Sequence, residues 1–104
     1  MATYFRLQYG HYTLNEMQSY TSEDGGDDGG SEGVCACESV SELMRNTVWS
    51  EDDRYDAEVV IMRGQRVSRI YDGVRVYPTE IVKTMKPSEF ARDAERIAET
   101  YEEW

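Results

Sequence analysis

The chain contains only two cysteines, Cys35 and Cys37, which a single residue separates. A disulfide between them would close a loop too small to staple a fold, so the sequence predicts no disulfide framework. The spacing also differs from the paired Cys-x2-Cys pattern of structural zinc sites, and His11 is the only histidine that could add a ligand. We therefore predict no metal site and no cofactor, and the free thiols favour a reducing compartment.

Long apolar runs are also missing. No stretch of about 18 apolar residues occurs, and the first residues lack a basic segment followed by an apolar one. We expect neither a membrane span nor a secretory signal, and we expect the protein to act in the cytoplasm. The 104 residues, of which 39% are hydrophobic, suffice for one core, so we predict a single domain over residues 1–104.

Basic residues are outnumbered, because eleven Lys and Arg stand against 21 Asp and Glu and give a net charge of −10. The excess is uneven: residues 16–58 hold thirteen acids and two arginines, whereas residues 59–86 hold six basic residues and two acids. A negative field repels nucleic acid and attracts basic surfaces. We therefore expect a basic protein surface as the partner and regard nucleic acid as disfavoured.

The first half of the chain has clear local signals. Residues 3–9 are rich in aromatic side chains and predict a strand, and residues 34–37 predict a second, shorter one. Thr13 precedes Glu16 by three residues, which is the spacing of a capping box and predicts a helix over 14–19. Ser39 and Glu42 repeat that spacing and predict a helix that ends near residue 46.

Between these elements, residues 22–33 consist of acids, glycines and serines. Like charges repel and glycine loses much entropy on ordering, so we predict a flexible acidic loop. The loop does not fit an EF-hand, because the twelfth residue counted from Asp24 is Cys35 and not glutamate.

The second half predicts a hairpin-rich sheet and a helix. Apolar and β-branched residues predict strands at 57–62, 65–71 and 74–77, with a turn at Gly64 and a type I′ turn at Asp72-Gly73. An apolar stripe from Phe90 to Trp104 predicts one amphipathic helix over 88–103. The predicted fold is α+β: an antiparallel meander sheet of about four or five strands, one or two short helices, and the long C-terminal helix packed on the sheet.

Arginines and tyrosines of residues 63–77 form the one basic patch that the sequence offers. Such a hairpin can stack bases and bind phosphates, which leaves a nucleic-acid binder as an alternative function. Because the whole chain is acidic, pairing of these arginines with the acidic segments, or their solvation, is the favoured interpretation.

Three stretches of the chain, residues 4–8, 33–43 and 72–82, resemble small uncharacterised acidic proteins of actinobacteria and their phages. The layout also looks like a reduced ADP-ribosyltransferase-like domain. That resemblance implies an arginine on the first strand that holds a nicotinamide cofactor, and Arg6 matches it. It also implies a serine-rich segment, from which residues 35–37 depart, and a late catalytic glutamate in a Glu-x-Glu context, which neither Glu58 nor Glu80 has.

Charge, and not a catalytic motif, decides the expected function. We expect a non-enzymatic interaction module, of the kind that a phage or mobile element carries, that occupies a basic, nucleic-acid-binding surface of a host protein. A small ADP-ribosyltransferase-like enzyme around Arg6 and His11 and a nucleic-acid binder are the alternatives, and we predict no catalytic residue. The expected partner-binding residues are acids of the middle segments: Glu23, Asp24, Asp27, Asp28, Glu51, Asp52 and Asp53.

Overall fold

The structure is a computed structural model that describes residues 2–20, 33–46, 56–70 and 73–102. The described residues form four strands and four helices. In chain order these elements are β1 (Ala2–Tyr9), α1 (Leu14–Ser19), β2 (Val34–Ala36), α2 (Val40–Asn46), β3 (Ala57–Ile70), β4 (Gly73–Met85), α3 (Pro87–Arg92) and α4 (Ala94–Tyr101). The α+β class and the four-stranded antiparallel sheet agree with the prediction.

The strands are not in the predicted meander order. The sheet has the order β1-β3-β4-β2, and every neighbouring pair is antiparallel. The chain therefore crosses from β1 to the far edge of the sheet before the long β3–β4 hairpin fills the middle. Cys37, directly after β2, exchanges two backbone hydrogen bonds with Phe5 of β1, at 2.9 and 2.7 Å. The two edges thus meet, and the sheet curls toward a closed ring.

The predicted turn at Gly64 is wrong, because residues 57–70 form one strand. Gly64 instead permits a close approach of the neighbouring strand: a Cβ atom there would lie 2.4 Å from the carbonyl oxygen of Tyr77. The register of β3 against β4 shifts on either side of Arg63. Such irregularities increase bending, which is what a strongly curled sheet needs.

Both faces of the sheet are covered. One face buries Phe5, Val59 and Ile61 beneath side chains of α2, α3 and α4. The other face buries residues of β2, β3 and β4 together with Tyr4 of β1, and Met17 of α1 packs against them. This two-sided burial explains the continuous apolar run of residues 59–62, all of which are fully buried.

The predicted C-terminal helix over 88–103 is replaced by two short helices. Asp93 separates α3 from α4, with φ −103° and ψ 19°. Aspartate is a poor residue for a helix interior, because its side chain competes for nearby polar groups, and here it pairs with Arg92 at 3.3 Å. The predicted apolar contacts nevertheless form, since Phe90 and Ile97 are buried and Tyr101 packs beside them.

The local helix signals are largely confirmed. In α1 both bonds of the capping box are present, 3.2 Å from the amide of Glu16 to Thr13 Oγ1 and 3.0 Å from the amide of Thr13 to Glu16 Oε1. In α2 one bond of the pattern is present: the amide of Glu42 donates to Ser39 Oγ at 3.1 Å. The amide of Val40 donates to Glu102 Oε1, which joins the end of α4 to the start of α2. Among the described helices, none is long and apolar enough to cross a membrane.

Candidate functional site

The seven acids predicted to bind a partner all lie outside the described residues. They belong to two segments, 21–32 and 47–55, which we call the acidic segments. The described residues contain ten Lys and Arg and eleven Asp and Glu, a net charge of −1. Since the whole chain carries −10, the rest of the chain carries −9. The described part of the chain is thus nearly neutral, and most of the negative charge belongs to the two acidic segments.

The first acidic segment is attached to a firmly held point of the fold. The amide of Gly33 donates to the carbonyl oxygen of Tyr20 at 2.9 Å. The carbonyl oxygen of Gly33 accepts a 3.0 Å hydrogen bond from Nη1 of Arg75, which is buried. Gly33 has φ +115°, and a Cβ atom there would lie 2.3 Å from the carbonyl oxygen of Val76. Only glycine fits this position, so the residue that follows the segment is fixed by backbone geometry and packing.

The second acidic segment connects α2 to β3. Its C-terminal flank, Asp56, has φ +21°, and its carbonyl oxygen accepts a 2.8 Å hydrogen bond from the amide of Gly10. Gly10 itself has φ +90°. The two residues extend the β1–β3 ladder by one backbone bond beyond the Tyr9–Ala57 pair. This attachment lies at one end of β3, whereas Gly33 lies beside Val76 and Tyr77 of β4.

The arginines of the predicted basic hairpin are used within the fold. Arg75 is buried and holds Gly33, so it does not belong to a surface. Arg66 and Arg69 both lie 3.8 Å from the carboxylate of Glu38, and Arg63 lies 4.0 Å from that of Glu80. These pairs are partly exposed, so each contributes little to stability. They nevertheless reduce the positive potential that a polyanion would meet.

A chain of polar groups occupies one end of the curled sheet. Arg6 donates from Nη1 to the carbonyl oxygen of Cys35 at 2.9 Å and from Nε to Gln8 Oε1 at 3.0 Å. Gln8 donates from Nε2 to Glu58 Oε1 at 2.8 Å, and the same oxygen lies 3.0 Å from Nδ1 of His11. These bonds fix both the amide of Gln8 and the plane of the Arg6 guanidinium.

Arg6 has an unusual environment for an arginine. Burial lowers its pKa, and the nearby groups that act against this, Cys35, Tyr20 and Tyr12, are not carboxylates. Among the described residues, no carboxylate forms an ion pair with Arg6. Cys35 is exposed, as are Tyr12 and Tyr20. The Arg6 guanidinium is thus held by the carbonyl oxygen of Cys35 and by Gln8, and no described carboxylate pairs with it.

Sequence reasoning identified Arg6 but missed its connection to Glu58 through Gln8. The signal was present in β1, where Tyr4, Arg6 and Gln8 share one face of an alternating strand. What the sequence did not contain was the pairing of β1 with β3, which places Gln8 opposite Glu58. A second polar group, His11, reaches Glu58 from the loop that precedes α1.

The described residues bring no metal site together. Cys35 is exposed in β2, and Cys37, which follows β2 and pairs with Phe5, is buried. No group of three or more His, Cys, Asp and Glu side chains within the described part of the chain is arranged to hold a metal ion. His11 and Glu58 line a cleft of about 630 Å³ that also contains Asp56, Lys86 and Glu89.

Comparison with protein-family models, with curated proteins and with solved structures finds no match to this chain.

Proposed function

We propose that this protein is a non-enzymatic interaction module whose acidic segments bind a basic protein surface. The single observation that carries the proposal is the partition of charge: −1 on the described fold and −9 on the rest of the chain. If the acids of these segments were needed to neutralise the described fold, that fold would carry an excess of basic residues. Instead its charges nearly balance without them.

The proposed contacts are the seven acids of the two segments. The first segment supplies Glu23, Asp24, Asp27 and Asp28, and the second supplies Glu51, Asp52 and Asp53. Clustered carboxylates steer a basic partner during encounter and raise the association rate. A nucleic-acid-binding surface is the fitting partner class, because it is built to receive closely spaced negative charges. We place this activity in the cytoplasm, and we regard a phage or mobile element as the fitting carrier.

Two alternatives have weaker support. A nucleic-acid binder using residues 63–77 has to work with Arg75 buried and with Arg66 and Arg69 already beside Glu38. An ADP-ribosyltransferase-like enzyme gains some support from the contact of Arg6 with the segment at Cys35. It lacks the serine segment and the Glu-x-Glu context that the resemblance implies. Titration with a nicotinamide dinucleotide, and with duplex DNA, tests these alternatives directly.

The proposal is tested by capture from a lysate of the source organism with three immobilised baits. The first is the unchanged chain, and the second carries Asp27→Asn, Asp28→Asn, Asp52→Asn and Asp53→Asn. The third removes the same charge from the fold, by glutamine at Glu80, Glu89, Glu95 and Glu99. We expect one basic protein to bind the first and third baits and to be lost from the second. The purified protein then has to release bound DNA when the unchanged chain is added.

Equal capture by all three baits would contradict the proposal, because it would show that net charge or the fold surface is responsible. A captured protein that retains its DNA in the presence of the chain would contradict the choice of a nucleic-acid-binding surface.

A further inference from the structure

An apolar groove of about 490 Å³ lies between α2 and α4. Its apolar lining comes from two residues of each helix: Val40, Met44, Ala94 and Ala98. Val40 is buried, and the other three are half-buried. The two alanines lie one turn apart on the same face of α4, and their short side chains leave the space that forms the groove. A second surface that covered this groove would remove apolar area from water, which stabilises an interface.

The two walls of the groove carry opposite charges. Arg45 lies in the last turn of α2, and Glu95 lies in the first turn of α4. Both line the groove and both are exposed, yet neither forms an ion pair within the described part of the chain. Elsewhere in the groove, the amide of Val40 donates to Glu102 Oε1 and joins the two walls. The groove is thus flanked by an unpaired cation on one wall and an unpaired anion on the other.

We infer that a second copy of this chain covers the groove, in a symmetric dimer that packs α2 of each copy against α4 of the other. A two-fold axis that runs along the groove produces this arrangement, because it places the positive wall of one copy over the negative wall of its partner. Arg45 of each copy then faces the partner's Glu95. The dimer therefore has two equivalent ion pairs beside one apolar contact.

A surface of a single charge fits the groove less well. A basic partner would meet Arg45, and an acidic partner would meet Glu95 and Glu102. The complementary surface needs a negative wall opposite Arg45, a positive wall opposite Glu95 and an apolar strip between them. The same face of a second copy has all three. Met44 supplies apolar contact across the interface, because its unbranched side chain can fill the space above the partner's alanines.

Sedimentation equilibrium of the full chain tests this dimer, at about 0.15 M salt, where the screening length is about 8 Å. We expect a reversible equilibrium between monomer and dimer. Arg45→Glu should weaken the dimer about tenfold, and Glu95→Arg should do the same, because each change turns two attractive pairs into repulsive ones. Arg96→Glu and Glu99→Arg are the matched controls. They make the same charge changes on α4 outside the groove lining, so they should leave the dimer unchanged.

Mixing the two variants tests the symmetry of the contact. An equimolar mixture of the Arg45→Glu chain and the Glu95→Arg chain should recover the dimer, because each changed wall then meets a wall of opposite charge. The chain that carries both changes should also dimerise as the unchanged chain does. Both substitutions are at exposed positions, and circular dichroism checks that each variant is folded.

This contact does not use the acidic segments. The variant with Asp27→Asn, Asp28→Asn, Asp52→Asn and Asp53→Asn should therefore dimerise at least as tightly as the unchanged chain, even though we expect it to lose the basic partner. Failure of the dimer and failure of the acidic-segment proposal are thus distinguishable.

Three results would overturn the inference. The first is a chain that stays monomeric up to about 1 mM, because weaker association does not indicate a specific interface. The second is equal dimerisation of the unchanged and Arg45→Glu chains, which would place the contact on another surface. The third is a mixture of the two folded variants that stays monomeric, which would exclude the pairing of α2 with α4.

Discussion

The carbonyl oxygen of Tyr20 accepts a 2.9 Å hydrogen bond from the amide of Gly33, so the two residues that flank the first acidic segment are joined directly. The twelve residues between them carry no basic side chain. Gly33, one of the two flanking residues, also accepts a hydrogen bond from the buried Arg75, so these contacts do not depend on a side chain of the segment.

Replacing residues 21–32 by a short neutral Gly-Ser linker should therefore leave the fold intact. We expect the melting temperature to change by only a few degrees, because the segment has no apolar side chain that a core would lose. Differential scanning calorimetry on both chains measures this. A collapse of the cooperative transition would show that the segment is part of the fold.

Gly33 itself should tolerate no side chain. Gly33→Ala places a Cβ atom 2.3 Å from Val76 O at a φ of +115°, so strain and overlap add. We expect a loss of about 2 to 4 kcal/mol in the free energy of unfolding. Gly10→Ala is the control, because Gly10 has φ +90° but nothing within 4 Å of the added atom. Urea unfolding should give it the smaller loss of about 1 kcal/mol.

The α4 helix should stabilise the protein through Ile97. This side chain is 6% exposed and belongs to the cluster with Phe5 and Phe90. Ile97→Ala should cost about 2 to 5 kcal/mol. Glu99→Ala, on the exposed side of the same helix, should stay within about 0.5 kcal/mol of the unchanged chain. A loss at Ile97 as small as that at Glu99 would mean that α4 is not packed on the sheet.

The capping box of α1 should make the free energy of unfolding vary with pH in the acidic range. The hydrogen bond from the backbone of Thr13, and then that with its side chain, hold the pKa of Glu16 below its ordinary value of 4.5. A carboxyl with a lowered pKa in the fold stabilises it above the unfolded pKa, and this contribution is lost as pH falls through the folded value. Glu16→Gln should therefore be less stable than the unchanged chain at neutral pH.

Below pH 4.5 the difference between these two chains should shrink. Urea unfolding at a series of pH values measures it, with Glu99→Gln as the control for loss of an exposed carboxylate. A difference that stays constant from neutral to acidic pH would show that the Glu16 charge is not used in the cap.

The parts of the fold that the sequence predicts correctly are those with a local cause. The helix after Thr13 begins where two side-chain bonds satisfy free amides, and both bonds join residues three positions apart. The short strand at Val34 and the helix at Val40 are likewise bounded by nearby signals. Propensity and capping are properties of neighbouring residues, so a single sequence contains them.

The errors concern contacts between residues far apart in the chain. Gly64 has the same appearance in sequence whether it turns the chain or admits Tyr77 from the next strand, and only the sheet decides. The order of the strands depends on the pairing of β1 with β3, which no local pattern specifies. The same pairing creates the link from Arg6 through Gln8 to Glu58, so the polar site was beyond sequence reasoning too.

The break at Asp93 has a different origin. The apolar stripe is continuous in sequence from Phe90 to Tyr101, and its buried members do contact the sheet. The spacing of the apolar residues therefore predicts the packed face correctly, but it does not predict that the helix is interrupted. The helix is interrupted at Asp93, because aspartate has a low propensity for helix interiors and its side chain here pairs with Arg92.

The most direct test of the acidic-segment proposal is the association rate with the purified partner, measured by surface plasmon resonance across a series of salt concentrations. The comparison is between the unchanged chain, the variant with asparagine at Asp27, Asp28, Asp52 and Asp53, and the variant with glutamine at Glu80, Glu89, Glu95 and Glu99. The screening length falls from about 8 Å at 0.15 M to about 3 Å at 1 M, so a summed attraction should largely vanish over this range. We predict that the asparagine variant associates several-fold more slowly at low salt, that the glutamine variant does not, and that all three converge at high salt. Equal association rates for the unchanged chain and the asparagine variant at low salt would contradict the proposal.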